Sequence, residues 1–565
     1  MRSILLGVCL LTTTYALSQG STDGFCLAGQ PCFPCNSILA QFNSSVSGRL
    51  HSERPVGSVC YEGDPNFNQA ACNDVANNTL SSNWRIERFP TYQYVNWEVC
   101  DPDDNCNATS VVRGGTCAQG RVPNYAVHAE TVQDVVEYVR FATKHNLRMV
   151  IKNTGHDILG RSSGKGGFAL WTHKMKGMQY NHTFVPEGCT KEINAGVVTF
   201  EAGVQWGEAY KFADSVERII VGGGAVTVGS AGGFPLGGGY SLLSSSLGLG
   251  LNNIVELELV TADGQLRKVN ECSDPDLFWA VRGGGGGTWG VTTKVTYKTH
   301  PRSELHVASF NVLTSNMTDA VARETITRWV KLAPTLGDLG VGGVSDLSAN
   351  GLTITALVQE SFANLTQLKG VLEPFTSWLA EQGVLSTDLE STVNGNSIYT
   401  SYSNWYDFFI RVLATSDTTA GEAGGAPSRL VPRHYYESDP EGLADILFEG
   451  SKGSPVIIGM TGPLRFAKDH PTAINDTSVT PVWYQSPWHI LAFGAIPRLR
   501  EYAKDGGAYF GESDLDEPDA ANAYWGSNYP ALLRAKAKWD PDNVFQVWHG
   551  VGSPTLGNGT QPSCA

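Results

Sequence analysis

Glycine is spread unevenly along this chain, and two of its densest runs constrain where a ligand can sit. One run is Thr154-Gly155-His156-Asp157-Ile158-Leu159-Gly160-Arg161-Ser162-Ser163-Gly164. The other starts at Gly222-Gly223-Gly224, passes through Thr227-Val228-Gly229-Ser230-Ala231-Gly232-Gly233 and ends at Gly237-Gly238-Gly239-Tyr240. Glycine lets a backbone take positive φ and approach a ligand closely. Successive N–H groups in such turns form concave nests that bind phosphate oxygens. Each run follows a strand-like segment, Arg148-Met149-Val150-Ile151 for the first and Ile219-Ile220-Val221 for the second. One such loop reads as a tight turn; two together can flank a long diphosphate cofactor.

A third run, Gly285-Gly286-Gly287-Thr288-Trp289-Gly290, satisfies G-x-G-x-x-G. The dinucleotide fingerprint needs a strand before it and a helix after it. Here Pro275–Arg282 has helical texture, and Val291, Thr293, Val295 and Tyr297 alternate as a strand does. The order is reversed, which excludes a Rossmann reading.

Around these loops the periodicity resolves into units. Tyr125-Ala126-Val127 reads as a strand, and Thr131 caps a helix with apolar residues at Val132, Val135, Val136 and Val139. Asp134 stands three positions after the cap, where a carboxylate complements free N–H groups. Val197–Glu201 reads as a second strand, followed by a helix over 206–216. From residue 304 the texture changes to strand Glu304–Thr314, helix Asp319–Leu332, a hairpin at Ser348-Ala349-Asn350-Gly351 and helix Leu365–Gln382. That order predicts an α+β region with an antiparallel sheet. Residues 383–498 show no clear period, and helical character returns at Tyr529–Lys538.

At 565 residues the chain needs more than one core. Its formal charge of −15 excludes a nucleic-acid role, which requires a basic surface. Residues 1–20 carry one Arg, the apolar run Ile4–Leu11 and then small polar residues, the pattern of a signal peptide cut near Ser18 to Gly20. Eight cysteines lie between Cys26 and Cys117, so residues 21–117 read as an irregular, disulfide-stapled extension in an oxidising compartment. Cys60 and Cys72 flank a Gly-Asp-Pro-Asn turn and are expected to pair. Cys189 and Cys272 read as a disulfide, or as one disulfide partner and one buried thiol. No zinc-like spacing accompanies Cys32-x-x-Cys35, so no metal is expected. Sequons at Asn43, Asn77, Asn107, Asn181, Asn316, Asn364, Asn475 and Asn558 predict N-linked glycans on an exported, extracellular chain with no membrane span.

In combination, the two loops, Leu247-Gly248-Leu249-Gly250, Val260-Thr261-Ala262-Asp263-Gly264, Asp274–Ala280 and Asp540-Pro541-Asp542-Asn543-Val544-Phe545 carry a specific resemblance. The chain resembles the vanillyl alcohol oxidase and p-cresol methylhydroxylase (PCMH) superfamily, in its berberine bridge enzyme-like branch and secreted fungal isoamyl alcohol oxidase-like form. The resemblance implies a two-domain, α+β PCMH-type fold. Residues 118–302 and 500–565 would build the FAD domain, and 303–499 a substrate domain with an antiparallel sheet. It implies FAD bound covalently through His156. Around it would stand Asn153, Thr154, Gly155, Asp157, Gly160, Arg161, Ser162, Thr227, Val228, Gly229, Gly232, Gly233, Gly238, Gly239, Asn253, Ile254 and Val291. Many relatives make a second bond through a Cys two residues before the Thr-Val-Gly motif. Ala225 stands there, so a single attachment is expected.

Oxidation of an alcohol leaves a proton for a general base. Relatives place a Tyr-rich motif before the final helix, and Glu512 of Tyr509-Phe510-Gly511-Glu512 stands where some carry Tyr. His549 and Tyr240 are further candidates. The activity implied is oxidation of an alcohol, sugar-like or phenolic small molecule with O2, releasing hydrogen peroxide. A tailoring oxidase or cyclase of secondary metabolism, and a non-catalytic glycoprotein retaining the fold, are the alternatives.

Overall fold

The computed structural model describes residues 24–99, 106, 115–313, 317–384, 398–415 and 420–553. The expected leader and the sequons at Asn107, Asn316 and Asn558 lie outside the described residues.

The first glycine loop sits where the α/β unit predicts. Strand Tyr125–His128 leads into helix Val132–Lys144 and then strand Met149–Lys152. Strand Phe168–Trp171 lies between the two strands and runs parallel to both. Thr131 Oγ1 accepts from the Asp134 N–H while Asp134 Oδ2 accepts from the Thr131 N–H, closing a capping box. Val135, Val136 and Val139 are buried beneath the helix. This sheet delivers Lys152 and the Asn153–Asp157 loop at one strand end.

The extension is more ordered than its composition predicts. Leu39, Phe42 and Val46 fall on one face of helix Asn36–Ser45 and its cap, a short helical period within a Cys- and Asn-rich stretch. Phe42 stacks on Phe141 with ring centroids 4.0 Å apart, joining the core under helix Val132–Lys144. Strand Leu50–Ser52 adds an antiparallel edge to the sheet, with Leu50 opposite Val127. The extension is therefore part of the core beneath helix Val132–Lys144. Disulfides Cys26–Cys32, Cys60–Cys72 and Cys106–Cys117 staple it, and Cys60 pairs with Cys72 as the intervening turn predicts. Cys189 and Cys272 also form a disulfide, so neither is a thiol.

Two buried cations lock residues 79–98 against the loop. Arg85 Nε donates to the Tyr92 carbonyl at 2.6 Å and Nη1 to the Thr79 carbonyl at 2.8 Å, while Nη2 pairs with Glu98. Lys152 Nζ donates to the carbonyls of Arg88, Phe89 and Thr91 at 3.1, 2.7 and 2.6 Å. Burial pushes the Lys152 ammonium down to about 7. Lys152→Met leaves these carbonyls without that donor, so we expect a loss of about 3 kcal/mol of stability. A denaturant midpoint unchanged from wild type would refute this clamp.

A second sheet is antiparallel throughout, in the order Met178–Asn181, Val197–Glu201, Val291–Lys298, Ile254–Val260, Leu266–Val269. Helix Pro275–Val281 precedes strand Val291–Lys298, so the Gly285–Gly290 run joins helix to strand, as expected. The α+β texture beyond 304 forms a seven-stranded antiparallel sheet. Its order is Tyr399–Tyr402, Leu305–Val312, Gly351–Gln359, Gly342–Ser348, Val456–Met460, His489–Ala492, Ser428–Leu430. The hairpin closes with Ser348 opposite Gly351. Helix Asp319–Leu339 runs past the expected end at Leu332, because Pro334 and Gly337 hide its continuation. Burial of Leu336 and Gly337 holds that last stretch in place, and Gly340 at φ +87° ends it.

Residues 529–547 return to the glycine loops. Lys536, in helix Tyr529–Trp539, donates to the carbonyls of Thr288 and Phe545 at 2.8 and 2.7 Å and to Asp540 Oδ2 at 2.6 Å. This brings Phe545, Gln546 and Val547 to the wall of the cavity described next.

Candidate active site

A cavity of about 560 Å³ opens between the glycine loops, within the size range of small-molecule and cofactor pockets. Asn153, Thr154, Gly155, His156, Asp157, Arg161 and Ser162 line it from the first run. Val228, Gly229, Gly232, Gly233 and Tyr240 line it from the second, together with Ala225. Gly286, Gly287 and Gly290 of the third run complete one wall. A Cβ on Gly229 would lie 2.0 Å from Asn153 Oδ1, so only glycine allows the two loops to meet.

The remaining sequence-derived residues stand behind this wall. Thr227 contacts His156 directly. A Cβ at Gly160, which has φ +69°, would meet the Trp97 ring, so this glycine serves packing. Gly239 N donates to Tyr509 Oη at 3.3 Å, and the tyrosine ring packs over Gly238. Asn253 is buried and donates to the carbonyls of Leu247 and Leu249 at 3.1 and 2.9 Å; Ile254 is buried beside it, at the start of a strand. Neither lines the cavity, because their polar and apolar atoms are spent on holding that turn. Val291 faces the core under helix Val132–Lys144, while its neighbours Gly290 and Thr292 line the cavity. His549 is also outside the wall. A turn from Val547 to Gly550 leaves Val547 facing the cavity and stacks His549 on Trp548, at φ +53°.

The unpartnered polar atoms of the wall, donors and acceptors, fit a flavin dinucleotide. Arg161 Nε and Nη1 are held by the carbonyls of Trp548 and Phe510 at 2.9 and 2.8 Å, and its guanidinium lies 3.6 Å from the Phe510 ring centroid. Its Nη2, the Ser162 hydroxyl and Asn153 Oδ1 are buried with no hydrogen-bond partner in the protein. Unsatisfied buried polar atoms are costly, so their grouping on one glycine-lined cavity points to a polar ligand that satisfies them.

His156 Nε2 lies 2.7 Å from Thr227 Oγ1. Burial lowers its pKa to about 4, so the imidazole is neutral and retains a lone pair. The second cluster gathers around Glu512, where Tyr240 Oη donates to Glu512 Oε1 at 3.1 Å. His489 Nδ1 stands 3.8 Å from Glu512 Oε2. Burial holds His489 down at about 3, so it is neutral and leaves the carboxylate uncompensated. Burial raises Glu512 to about 7, partly opposed by the Tyr240 hydrogen bond. Tyr509 and Trp483 pack against Tyr240 and His489. His489 could not be found from periodicity: it lies on strand His489–Ala492 inside the stretch whose pattern is unreadable. Gln93, Tyr94 and Glu422 also line the cavity, from the extension and from the 420–427 loop.

The first glycine loop and the strands around it lie within residues 123–270, which match the family described as FAD binding domain. Residues 508–552, carrying Glu512 and the Lys536 clamp, match the family described as berberine and berberine like. An uncharacterized FAD-linked oxidoreductase from Arthroderma benhamiae is 31% identical, covering 98% of this chain and 99% of the relative. This chain is a berberine bridge enzyme-like, FAD-linked oxidoreductase. It belongs to the vanillyl alcohol oxidase and PCMH superfamily, and FAD is its cofactor. The FAD-linked oxidoreductase ZEB1 from Gibberella zeae is also 31% identical, over 97% of this chain and 96% of that protein. Among solved structures, the VAO-type flavoprotein MtVAO615 from Myceliophthora thermophila superposes with a TM-score of 0.81 at 28% identity, covering 94% of this chain and 97% of that one. Among the described residues, no helix is long and apolar enough to cross a membrane.

Proposed function

We propose that this oxidoreductase is an exported oxidase of a small alcohol, sugar-like or phenolic substrate, with FAD on a single bond to His156 and Glu512 as general base. The observation that carries the reading is the carboxyl of Glu512, held by Tyr240 on the wall that also presents His156, with a pKa of about 7. A base of that pKa is half ionised near neutrality and takes up a hydroxyl proton with little driving-force loss. Tyr240 aims one carboxylate oxygen, leaving Oε2 without a hydrogen-bond partner in the protein. The neutral, fully buried ring of His489 packs beside it, with Nδ1 3.8 Å from Oε2. FAD, when bound, accepts the hydride equivalent that leaves the substrate carbon, and dioxygen takes the two electrons on as hydrogen peroxide. Thr154, Asp157, Arg161, Ser162 and the glycines of the wall would hold the cofactor, with Asn153 bridging the two loops.

Four disulfides among the described residues suit an oxidising compartment, and the sequons at Asn77, Asn364 and Asn475 are exposed, which supports export and glycosylation. Peroxide release across a panel of alcohols, sugars and phenols tests the reading. Anaerobic bleaching of the flavin by a substrate that yields no peroxide in air would replace the oxidase with a dehydrogenase or tailoring enzyme.

Ala225 lines the cavity two residues before Thr227, so Ala225→Cys places a thiol at the flavin wall. We expect this variant to gain a second covalent bond to the flavin, read as flavin retained on the peptide that carries the substitution and a changed absorption spectrum. Retention on the His156 peptide alone would refute the inferred wall geometry.

A further inference from the structure

We propose that Ser82 and Gln93, contributed by the N-terminal extension, are positioning residues for flavin attachment: acting through Thr227, they fix which ring nitrogen of His156 carries the proton. This inference rests on the covalent reading above. Four side chains form a line. Ser82 Oγ donates to Gln93 Oε1 at 3.0 Å, Ser82 Oγ and Thr227 Oγ1 are 2.7 Å apart, and Thr227 Oγ1 is 2.7 Å from His156 Nε2.

Hydroxyls can run in either direction, but an amide oxygen only accepts. Gln93 Nε2 donates to the Ser82 carbonyl at 3.4 Å, which turns Oε1 toward the Ser82 hydroxyl. Ser82 therefore spends its one proton on Gln93 and accepts from Thr227. Thr227 in turn spends its proton on Ser82 and accepts from His156 Nε2–H. The proton sits on Nε2 and the lone pair on Nδ1. Ser82 and Thr227 are each 1% exposed and Gln93 is 4% exposed, so solvent offers no competing partner. The Gln93 N–H also donates to the Gly155 carbonyl at 3.1 Å, and the Lys152 and Arg85 clamps hold the segment in place.

Attachment then forms one bond, from Nδ1 to the flavin 8α carbon. One proton leaves the 8α methyl group and one leaves Nε2. The two electrons released enter the isoalloxazine and pass with two protons to dioxygen, giving hydrogen peroxide. Without the Ser82 acceptor the Thr227 hydroxyl is free to donate to Nε2, which favours the tautomer whose Nδ1 is blocked by a proton.

The test uses full-length protein produced under flavin limitation and then mixed with FAD. Acid-stable flavin is followed in time, and the linked nitrogen is read by NMR of the flavin peptide. In Ser82→Ala we expect attachment about tenfold slower, the cost of one buried hydrogen bond, with unchanged affinity for reversibly bound FAD. Ser82→Thr, which keeps the hydroxyl, should restore the rate. Gln93→Met, run alongside, removes the terminal acceptor while leaving Ser82 unsubstituted, so a folding defect in one variant does not decide the outcome. Thr227→Val should give a mixture of linkage isomers where wild type gives Nδ1 alone. Wild-type rates and one isomer in all variants would overturn the proton-positioning role while leaving attachment intact. A wild-type pellet without flavin would overturn the attachment reading and this inference with it.

Discussion

Glu512→Gln is expected to retain FAD and fold normally while kcat/KM falls by about 10²–10⁴-fold, the range for a removed general base. Glutamine is nearly isosteric, and its amide oxygen still accepts from the Tyr240 hydroxyl. What disappears is the ability to take up a proton. The wild-type pH profile provides a second reading. Because burial places Glu512 at about 7, kcat/KM should rise with pH up to about 7 and level off above it. Stability should move the other way. A carboxyl whose folded pKa lies above its unfolded value binds more protons when folded, so stability falls as pH rises from about 4.5 to about 7. Glu512→Gln removes that dependence and should raise the thermal midpoint at pH 8 while kcat/KM stays at its reduced level. A variant less stable than wild type at pH 8, with activity intact, would place the base elsewhere.

The parts of this site that were legible in the sequence are those with local causes. Thr131 and Asp134 form their capping box within four residues, and Gly155 at φ +85° marks a turn that few side chains tolerate. Reversed helix and strand order around Gly285–Gly290 was readable for the same reason. Residues assembled by long-range packing were not. His489 reaches Glu512 only because the seven-stranded sheet carries strand His489–Ala492 to the cavity, and Ser82 reaches Thr227 across 145 positions of chain. The extension misled through composition: its cysteines and asparagines masked the spacing of Leu39, Phe42 and Val46. His549 misled through proximity. Its neighbour Val547 reaches the wall, and a positive-φ turn two residues later takes the histidine behind it.

His156→Ala is expected to abolish acid-stable flavin altogether, leaving a colourless pellet and a yellow supernatant where the wild-type pellet stays yellow and fluorescent. The reversible site should survive, because Arg161, Ser162, Asn153 and the glycine loops owe nothing to the imidazole. Their unsatisfied donors and acceptors remain on the cavity wall. Thr227 loses its partner in this variant, but its hydroxyl still bonds to Ser82 at 2.7 Å, so local packing should hold. The consequence for stability follows from mass action. A bonded cofactor cannot dissociate, whereas a reversible one stabilises according to its concentration, by about 2.7 kcal/mol at 100 times its Kd. The thermal midpoint of His156→Ala should therefore climb with added FAD, and that of wild type should not. Double substitution separates the remaining possibilities. If His156→Ala keeps flavin through denaturation, another side chain carries it; with Cys189 and Cys272 bonded to each other and Ala225 at the family's second position, the described residues offer no such thiol at the Thr-Val-Gly loop. Combining His156→Ala with Ala225→Cys then asks whether one thioether alone can form. A flavin retained only in the double variant would establish that the second position is competent and that alanine there accounts for the single bond.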